Sequence, residues 1–355
     1  MTTLSRHLTL IVPGLFGTAG LRAADFSLLN CAALELLLSR ATLTVIPALG
    51  VEATLFNLMG VPRDPAQDLP VAAVARLAEA GNMPDGRSGD WWIRADPVHL
   101  RADQSRLVLM DSYALSITRA EADALVAQFN TFFSADGWHL EAPHPERWYL
   151  KLPHDPRMRT YDVTEVLGRH IDGFLPSGAQ GKRWHAVLNE IQMLFHSSPV
   201  KQAREMRGAA PINSVWLWGG GCLPHPMPLA TTAPTWNTVL SDEPVATGLA
   251  RLAGIPHVCV PESLHAWLAT PAPGTHLMVL DYGYRDALYS DVSAWGAAME
   301  RMADQWFTPL VAALKQRQLD SVSICAANGR MFRITPALLR RFWKRRHSLE
   351  TLRDN

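Results

Sequence analysis

The chain has 355 residues, 48% hydrophobic and 19% charged, a composition typical of a globular protein long enough for two domains. Its 33 Lys and Arg residues equal its 33 Asp and Glu residues, so no overall charge favours nucleic acid or an anionic membrane. No apolar stretch approaches the roughly 18 residues that a membrane span requires. The four cysteines are scattered without a Cys-x-x-Cys pair, which predicts buried, reduced thiols in a cytoplasmic protein.

The first part of the chain has the pattern of an α/β fold. The apolar run over 8–12, broken by Pro13-Gly14, predicts a buried parallel strand. Apolar residues at helical spacing, between Gly and Pro breakers, predict helices over 25–41, 52–59 and 66–80. Residues 82–89 are rich in Gly, Pro, Asp and Ser, which predicts a linker.

The segment after residue 90 has a different pattern. Alternating apolar residues predict strands over 92–100 and 107–110 and a hairpin of 138–141 with 148–152. Thr118, followed by Glu121, has the spacing of a capping box and predicts a helix that ends near residue 133. A second helix is predicted over 183–196. Together these elements predict an inserted α+β domain over 89–213 with its own antiparallel sheet.

Alternation of strands and helices returns at residue 214. Strands are predicted over 214–218, 257–260, 276–281 and 321–326. Helices are predicted over 244–253, 292–317 and 336–344. Such alternation with right-handed crossovers predicts a doubly wound, mostly parallel sheet, formed by residues 1–88 together with 214–355.

The most informative stretch is 211–224, where an apolar run with two tryptophans ends in three glycines. Its letters, PINSVWLWGGGCLP, resemble the N-s-x-W-L-W-G-x-G-x-x-P segment of archaeal-type, cofactor-independent phosphoglycerate mutases of the alkaline-phosphatase superfamily. Residues 117–126 and 147–150 resemble a helix start and a strand of the same enzymes. The whole chain resembles the RpfE-type regulatory proteins, which are mutase-like in sequence. The resemblance implies an alkaline-phosphatase-like α/β fold that carries an inserted substrate-domain-like module.

The resemblance also implies a centre of two divalent metals, Mn or Zn, and a Ser or Thr nucleophile. Pro13 stands where a metal-binding Asp is implied, and Val51 stands where the nucleophile is implied. Tyr284 and Leu288 replace a further Asp and His, and Ala327-Asn328 replaces the last Asp-His pair. The chain is therefore interpreted as a catalytically degenerate relative of these mutases that needs no cofactor. On this interpretation it binds a phosphorylated small molecule or a protein partner and has a regulatory role.

An alternative interpretation keeps catalysis and relocates the metal ligands. The candidate residues are Glu52, Asp281, Asp286 and Asp291, of which the three aspartates could together bind one cation weakly. Asp281 ends a predicted strand, where doubly wound sheets bind ligands, although a role as a helix cap or turn residue is favoured over a ligand role. On this interpretation the protein is a metal-dependent phosphomutase or phosphatase.

Basic residues of the inserted module are the candidates for ligand binding. Resemblance to the mutase substrate domain implies that they face a phosphorylated acid, and a guanidinium fork suits phosphate. The candidate ligand-binding residues are Arg94, Arg101, Arg147, Lys151, Trp218 and Gly219. The pair His154-Asp155, between two prolines, is interpreted as a solvated loop rather than a metal site.

Basic and aromatic residues alternate near the end of the chain, in the sequence RRFWKRRH over 340–347. Such clusters bind nucleic acid, with aromatic rings stacked on bases, or seat a helix on an anionic membrane. Helical spacing places Leu339, Phe342 and Trp343 on one side, which favours an ordinary terminal helix with a solvated basic face. A nucleic-acid-binding regulator that acts through Arg340 to Arg346 is the second alternative.

Overall fold

The structure is a computed structural model. It describes residues 5–17, 21–22, 25–26, 29–80, 89–103, 106–224, 235–270 and 272–354. Backbone contacts divide the chain into two units, a first formed by 1–62 with 229–355 and a second formed by 63–228. The predicted linker over 82–89 falls outside the described residues except for Gly89.

The strands, in chain order, are β1 (Arg6–Ile11), β2 (Thr42–Leu49), β3 (Trp91–Asp103), β4 (Arg106–Met110), β5 (His139–His144), β6 (Arg147–Leu152), β7 (Ser214–Gly221), β8 (Thr238–Leu240), β9 (His257–Val258), β10 (Gly274–Val279), β11 (Ser321–Cys325) and β12 (Asn328–Ile334). The helices are α1 (Ala32–Arg40), α2 (Val51–Leu58), α3 (Val71–Glu79), α4 (Ser112–Leu115), α5 (Arg119–Phe132), α6 (Val163–Val166), α7 (Gly181–His196), α8 (Pro199–Met206), α9 (Pro244–Leu252), α10 (Leu264–Ala269), α11 (Tyr284–Leu288), α12 (Val292–Met302), α13 (Thr308–Lys315), α14 (Pro336–Leu339) and α15 (Leu349–Asp354). A π-helical turn, Ala303–Phe307, joins α12 to α13.

The first unit is built on a seven-stranded sheet of order β2-β12-β11-β1-β10-β8-β9. Strand β1 pairs in parallel with β10 and β11, and β8 pairs in parallel with β10 and β9. Strand β12 runs antiparallel to both β11 and β2. Leu8 and Leu10 of β1 are buried in the core, as the apolar run of this strand requires. The predicted mostly parallel sheet is confirmed.

The second unit is built on a five-stranded antiparallel sheet, in which β7 also pairs with β3. Helix α5 begins with the predicted capping box, since Thr118 and Glu121 each accept the other's backbone N–H. Its buried Phe129 packs in one core with Trp148 of β6 and Ile191 of α7. The predicted separate antiparallel sheet is therefore confirmed.

The prediction that residues 214–218 form a strand of the parallel sheet is wrong. Strand β7 pairs antiparallel with β3, with Trp216 opposite Asp96 and Val215 opposite Pro97. A continuous apolar run shows that a strand is covered on both faces, but it does not distinguish parallel from antiparallel pairing. Here α3 and α7 contact β7. Helix α3 belongs with β7 to the second unit, which backbone contacts delimit at residues 63 and 228, while the predicted inserted domain extends from 89 to 213.

The predicted terminal helix over 336–344 ends at Leu339. Phe342 is 82% exposed and Trp343 is 68% exposed, so neither ring packs beside Leu339 as helical spacing predicted. The side chain of Arg40 donates a hydrogen bond to the carbonyl of Leu339, an acceptor freed at the end of the helix. None of the described helices has the length and apolar character needed to cross a membrane.

Strands β2, β8 and β12 were not predicted. Strand β2 lies at the edge of its sheet and contains Pro47, a residue that central strands exclude and edge strands tolerate. Its exposed positions include apolar residues such as Val45, which is 77% exposed, so apolar and polar residues do not alternate along the strand. Without that alternation the sequence offers no clear strand signal.

The four cysteines are free thiols in different environments: Cys31 and Cys325 are buried, Cys222 is half-buried and Cys259 is exposed. The predicted uniform burial is therefore wrong for Cys259. Burial, together with the carboxylates of Glu35 and Glu300, raises the pKa of Cys31 to about 12. Because the thiolate is the reactive form, Cys31 is held almost entirely unreactive at neutral pH.

We expect maleimide to modify Cys259 first and to leave Cys31 unmodified in the native protein. Peptide mass spectrometry along a time course would measure this order. Protein unfolded in urea serves as the control, and there all four thiols should react at similar rates. Equal rates at Cys31 and Cys259 in the native protein would contradict the burial of Cys31.

Candidate functional site

Positions that the sequence marked as catalytic meet at one edge of the parallel sheet. Helix α2 begins at Val51, and the N–H of the preceding Gly50 donates a 2.8 Å hydrogen bond to the carbonyl of Ala327. Pro13-Gly14 follows β1, and a Cβ atom added to Gly14 would lie 3.2 Å from the Cα atom of Tyr284. The edge formed by the carboxyl ends of parallel strands is where such sheets bind ligands.

Two aspartates follow neighbouring strands at the same edge: Asp281 comes after β10 and Asp242 comes after β8. Taken over all its atoms, Asp281 is exposed to solvent. Close packing around its carboxyl group nevertheless raises the pKa of Asp281, and the charge of Asp242 acts in the same direction. The Asp281 backbone N–H and Arg285 oppose this shift. The two carboxylates therefore repel each other, and the positive charge of Arg285 offsets part of the effect on Asp281.

The other candidate acids lie at the beginnings of helices. Asp291 is the N-cap of α12, where its Oδ1 accepts the N–H of Ala294 at 3.0 Å. Asp286 lies in the first turn of α11, and Glu52 lies in the first turn of α2. Within the part of the chain that the structure describes, no three His, Cys, Asp or Glu side chains are grouped to hold a metal ion. The three-aspartate cluster of the alternative interpretation is therefore not assembled.

The predicted ligand-binding Arg94 lies in a buried polar network of the second unit. Its Nη2 and Nε atoms lie 2.7 and 3.0 Å from Oδ1 of Asp96. Asp96 also accepts the indole N–H of Trp218 at 2.7 Å and the backbone N–H of Trp148 at 3.3 Å. Burial opposes the charged guanidinium, but Asp96, together with Tyr149 and Glu79, prevails and raises the pKa of Arg94. Arg94 and Trp218 thus bind Asp96 rather than facing solvent.

Arg147 and Lys151 are also engaged by acids. Arg147 Nε lies 2.6 Å from Oε1 of Glu79, a carboxylate that also accepts the hydroxyl of Tyr149. Lys151 Nζ lies 2.7 Å from Oδ2 of Asp90. These cations are already neutralised, so the prediction that they face a phosphorylated ligand gains no support from their geometry.

Arg101 and Gly219 complete the predicted ligand-binding set. Arg101 is exposed on β3, opposite Val108 of β4. Gly219 has a φ of +63°, and a Cβ atom there would lie 2.8 Å from the Cβ atom of Val71. A Cβ atom on Gly220 would lie only 1.9 Å from the ring of Trp91. The start of α3 packs against Gly219, and the Trp91 ring packs against Gly220. Close packing therefore explains why both positions need glycine.

A cavity of about 320 Å³ lies in the second unit, where the loop after β6 meets the first turn of α7. Among the residues that line it are Trp138, His154, Arg157, Gln180, Arg183 and Trp184. The rings of Trp138 and Trp184 are stacked, with centroids 5.1 Å apart and an angle of 11° between their planes. This pair gives the cavity a rigid apolar side.

The charged residues that line the cavity are two arginines, Arg157 and Arg183, and two aspartates, Asp136 and Asp155. Neither Arg157 nor Arg183 forms an ion pair with any residue in the described ranges. Helix α7 begins beside them, and its N-cap Gln180 makes no side-chain hydrogen bond to the first-turn N–H groups. The N–H of Gly181 donates to the carbonyl of Gly178 at 3.2 Å, and the helix dipole places partial positive charge at this end of the helix. Guanidinium groups and a helix N-terminus together form a setting for an anion.

Arg157 is held in an uncommon conformation. Its φ is +49°, in the left-handed region that residues with a Cβ atom rarely adopt. The carbonyl of Arg157 accepts the N–H of Gln180 at 3.2 Å, and Asp155 Oδ1 accepts the N–H of Arg157 at 2.7 Å. Strain of this kind persists where surrounding contacts enforce it, and it is enriched at binding sites.

Comparison with known proteins relates the chain to one group of enzymes. The probable 2,3-bisphosphoglycerate-independent phosphoglycerate mutase of Geobacter sulfurreducens is 25% identical over 170 residues, which are 47% of this chain and 42% of that protein. The mutase of Methanosarcina barkeri is 26% identical over 91 residues, 26% of this chain and 23% of that protein. The chain is similar to cofactor-independent phosphoglycerate mutases. The matches cover less than half the length of these relatives.

The fold has a counterpart among solved structures. The PH0037 protein of Pyrococcus horikoshii superposes with a TM-score of 0.53 at 11% identity, over 93% of this chain and 87% of that protein. At this identity the likeness concerns the fold alone. No model of a known protein family matches the chain. The relationship to the mutases therefore rests on partial sequence matches and on the motifs around β7.

Sequence reasoning did not select the cationic residues of the cavity. Arg157 and Arg183 stand in no recognisable motif, and they meet only because the loop after β6 folds onto the start of α7. The nearby His154-Asp155 pair was the one part of the cavity that the sequence singled out, as a solvated loop rather than a metal site. Both residues are exposed, in agreement with the predicted solvated loop, but they also line the cavity.

Proposed function

We propose that this protein is a phosphoglycerate-mutase-like binding protein with a regulatory role, in which the catalytic centre of the mutases is replaced. One observation carries the proposal. The edge of the parallel sheet, where the resemblance implies metal ligands and a nucleophile, brings together Pro13, Val51 and Ala327. Proline, valine and alanine side chains have no atom that can bind a cation or attack phosphorus. Tyr284 contributes no carboxylate, and Asp242 and Asp281 at the same edge belong to no group of three potential metal ligands among the described residues.

The ligand that fits this protein is a small phosphorylated acid. Arg157, Arg183 and the N-terminus of α7 supply charge and hydrogen-bond donors for phosphate and carboxylate groups. The stacked Trp138 and Trp184 cover the apolar part of such a molecule. The relatives are named for phosphoglycerate, so 3-phosphoglycerate is the probe to use first.

Titration of 3-phosphoglycerate into the protein in a calorimeter tests the proposal. We expect the double variant Arg157→Gln/Arg183→Gln to weaken binding at least about tenfold, because each guanidinium supplies charged hydrogen bonds to the ligand. Arg106→Gln is the matched control, since Arg106 is an exposed arginine of the same unit that does not line the cavity. Binding that is absent, or equal in the double variant and the control, would contradict the cavity as the ligand site.

The same samples, supplied with Mn²⁺ or Zn²⁺, test the catalytic half of the proposal. We expect neither conversion of 3-phosphoglycerate to 2-phosphoglycerate nor release of phosphate. Metal-dependent turnover that disappears in Asp281→Ala would overturn the proposal. That outcome would support the alternative of a phosphomutase or phosphatase with relocated ligands.

A further inference from the structure

A turn near the end of the chain displays two aromatic rings in solvent. We call residues 340–347 the basic-aromatic turn. Phe342 is 82% exposed and Trp343 is 68% exposed, and their rings touch edge to face with centroids 5.2 Å apart. Single exposed apolar residues are common on protein surfaces, but an adjacent pair of large rings forms a patch that calls for a partner.

The basic-aromatic turn is fixed at both ends. Before it, Leu339 is buried and its carbonyl accepts the side chain of Arg40. After it, the N–H of His347 donates to the hydroxyl of Ser39 at 2.9 Å, and the N–H of the buried Leu349 donates to Glu35 at 3.1 Å. All these partners belong to the same helix, α1. The two rings are therefore held out on an anchored turn rather than on a loose tail.

Cations surround the two rings. Arg340, Arg341, Lys344 and Arg345 form no ion pair within the described residues, while Arg346 lies 3.4 Å from Glu35. The sequence contains no Asp or Glu between Asp320 and Glu350, although the whole chain has no net charge. Positive charge is thus concentrated at this turn, which gives it complementarity to an anionic partner.

The geometry distinguishes between two anionic partners. Single-stranded nucleic acid is bound in positively charged grooves with flat aromatic faces on which successive bases stack. Here the rings meet at 83° and protrude from a turn, so they form a wedge rather than a platform. A wedge of Phe and Trp flanked by Arg and Lys suits the interface of a lipid bilayer, where rings enter the headgroup level and cations meet lipid phosphates.

We propose that the basic-aromatic turn docks on an anionic phospholipid surface, with Phe342 and Trp343 inserted among the headgroups. Arg341, Lys344 and Arg345 provide the electrostatic attraction. The contact is peripheral and reversible, because two rings bury far less apolar surface than a membrane anchor does. This interaction is independent of the proposed ligand cavity, which lies in the other unit.

Co-sedimentation of the full chain with vesicles tests the proposal. We expect the protein to sediment with phosphatidylcholine vesicles that contain phosphatidylserine and to stay in solution with phosphatidylcholine alone. The double variant Phe342→Ser/Trp343→Ser should lower the partition coefficient at least about tenfold, because the apolar contribution is lost. The triple variant Arg341→Gln/Lys344→Gln/Arg345→Gln should lose binding to a similar extent, and added salt should weaken binding of the unaltered chain.

Met193→Ser/Met206→Ser is the matched control, because these methionines are 74% and 83% exposed on helices of the second unit. It should bind vesicles as the unaltered chain does. Equal binding by the control and the aromatic variant would overturn the proposal. Binding of a single-stranded oligonucleotide, measured by fluorescence anisotropy, in the absence of vesicle binding would also overturn it and would assign the turn to nucleic acid.

Discussion

Replacement of Asp96 by alanine should destabilise the second unit by about 3–5 kcal/mol, the usual cost of leaving one buried charge without its partner. Arg94 and Asp96 have side chains that are 8% and 5% exposed, so water cannot replace the lost carboxylate. The indole N–H of Trp218 and the backbone N–H of Trp148 lose their acceptor in the same step. Urea denaturation, with hydrogen exchange at the β3 amides, would measure the loss.

Two further variants define the cause of the Asp96 effect. The double variant Arg94→Met/Asp96→Ala should recover much of the lost stability, because it removes the uncompensated charge. Asp123→Ala is the control, since Asp123 forms an exposed ion pair with Arg119 at 3.4 Å. Such pairs contribute at most about 1 kcal/mol. If the double variant were as unstable as Asp96→Ala, packing around the two tryptophans would account for the loss instead of charge.

Replacement of Glu121 by glutamine should cost roughly 3–5 kcal/mol at neutral pH, because it leaves Arg204 charged and buried. The Arg204 side chain is 2% exposed, and its Nη1 atom lies 2.9 Å from Oε2 of Glu121. Glutamine keeps an oxygen that accepts the capping hydrogen bond from the N–H of Thr118. The lost stability therefore measures the effect of removing the negative charge beside Arg204. Glu121→Ala should lose up to about 1 kcal/mol more, the typical value of a helix cap.

The effect of Glu121→Gln should depend on pH in a defined direction. Burial opposes ionisation, but the N–H of Thr118, Arg207 and Arg204 prevail and lower the pKa of Glu121 below its usual 4.5. A lowered pKa in the folded state stabilises the protein above the unfolded pKa, and this contribution disappears as the pH falls through the folded value. The stability difference between the unaltered protein and the variant should therefore be constant near neutral pH and shrink below about pH 4.5. A difference that grows on acidification would contradict the assignment.

Local signals in the sequence located most elements correctly. Thr118 and Glu121 predicted the start of α5 because a capping box involves residues only three apart. The run over 8–12 predicted β1 because burial on both faces requires apolar side chains throughout. Pairing was harder to predict: β7 has the same apolar character, but its partner is β3, more than a hundred residues earlier. No local pattern contains that information.

The end of the chain illustrates the same difficulty. Helical spacing placed Phe342 and Trp343 beside Leu339, but α14 ends where Arg40 binds the last carbonyl. Which residue caps a helix end is decided by elements that pack against it, here α1. The sequence of residues 336–347 alone could not show that the two rings remain in solvent.

The sequence by itself determined which atoms each position can offer. Pro13 and Val51 cannot bind a metal or attack phosphorus in any fold, since that property belongs to the side chain. Only the tertiary structure decided which charges are available to a ligand. Arg147 is neutralised by Glu79, 68 residues away, whereas Arg157 and Arg183 share a cavity with Asp136 and Asp155 but form no ion pair within the described chain. The physical reason is that the charge of a site is a sum over neighbours in space, and folding chooses those neighbours.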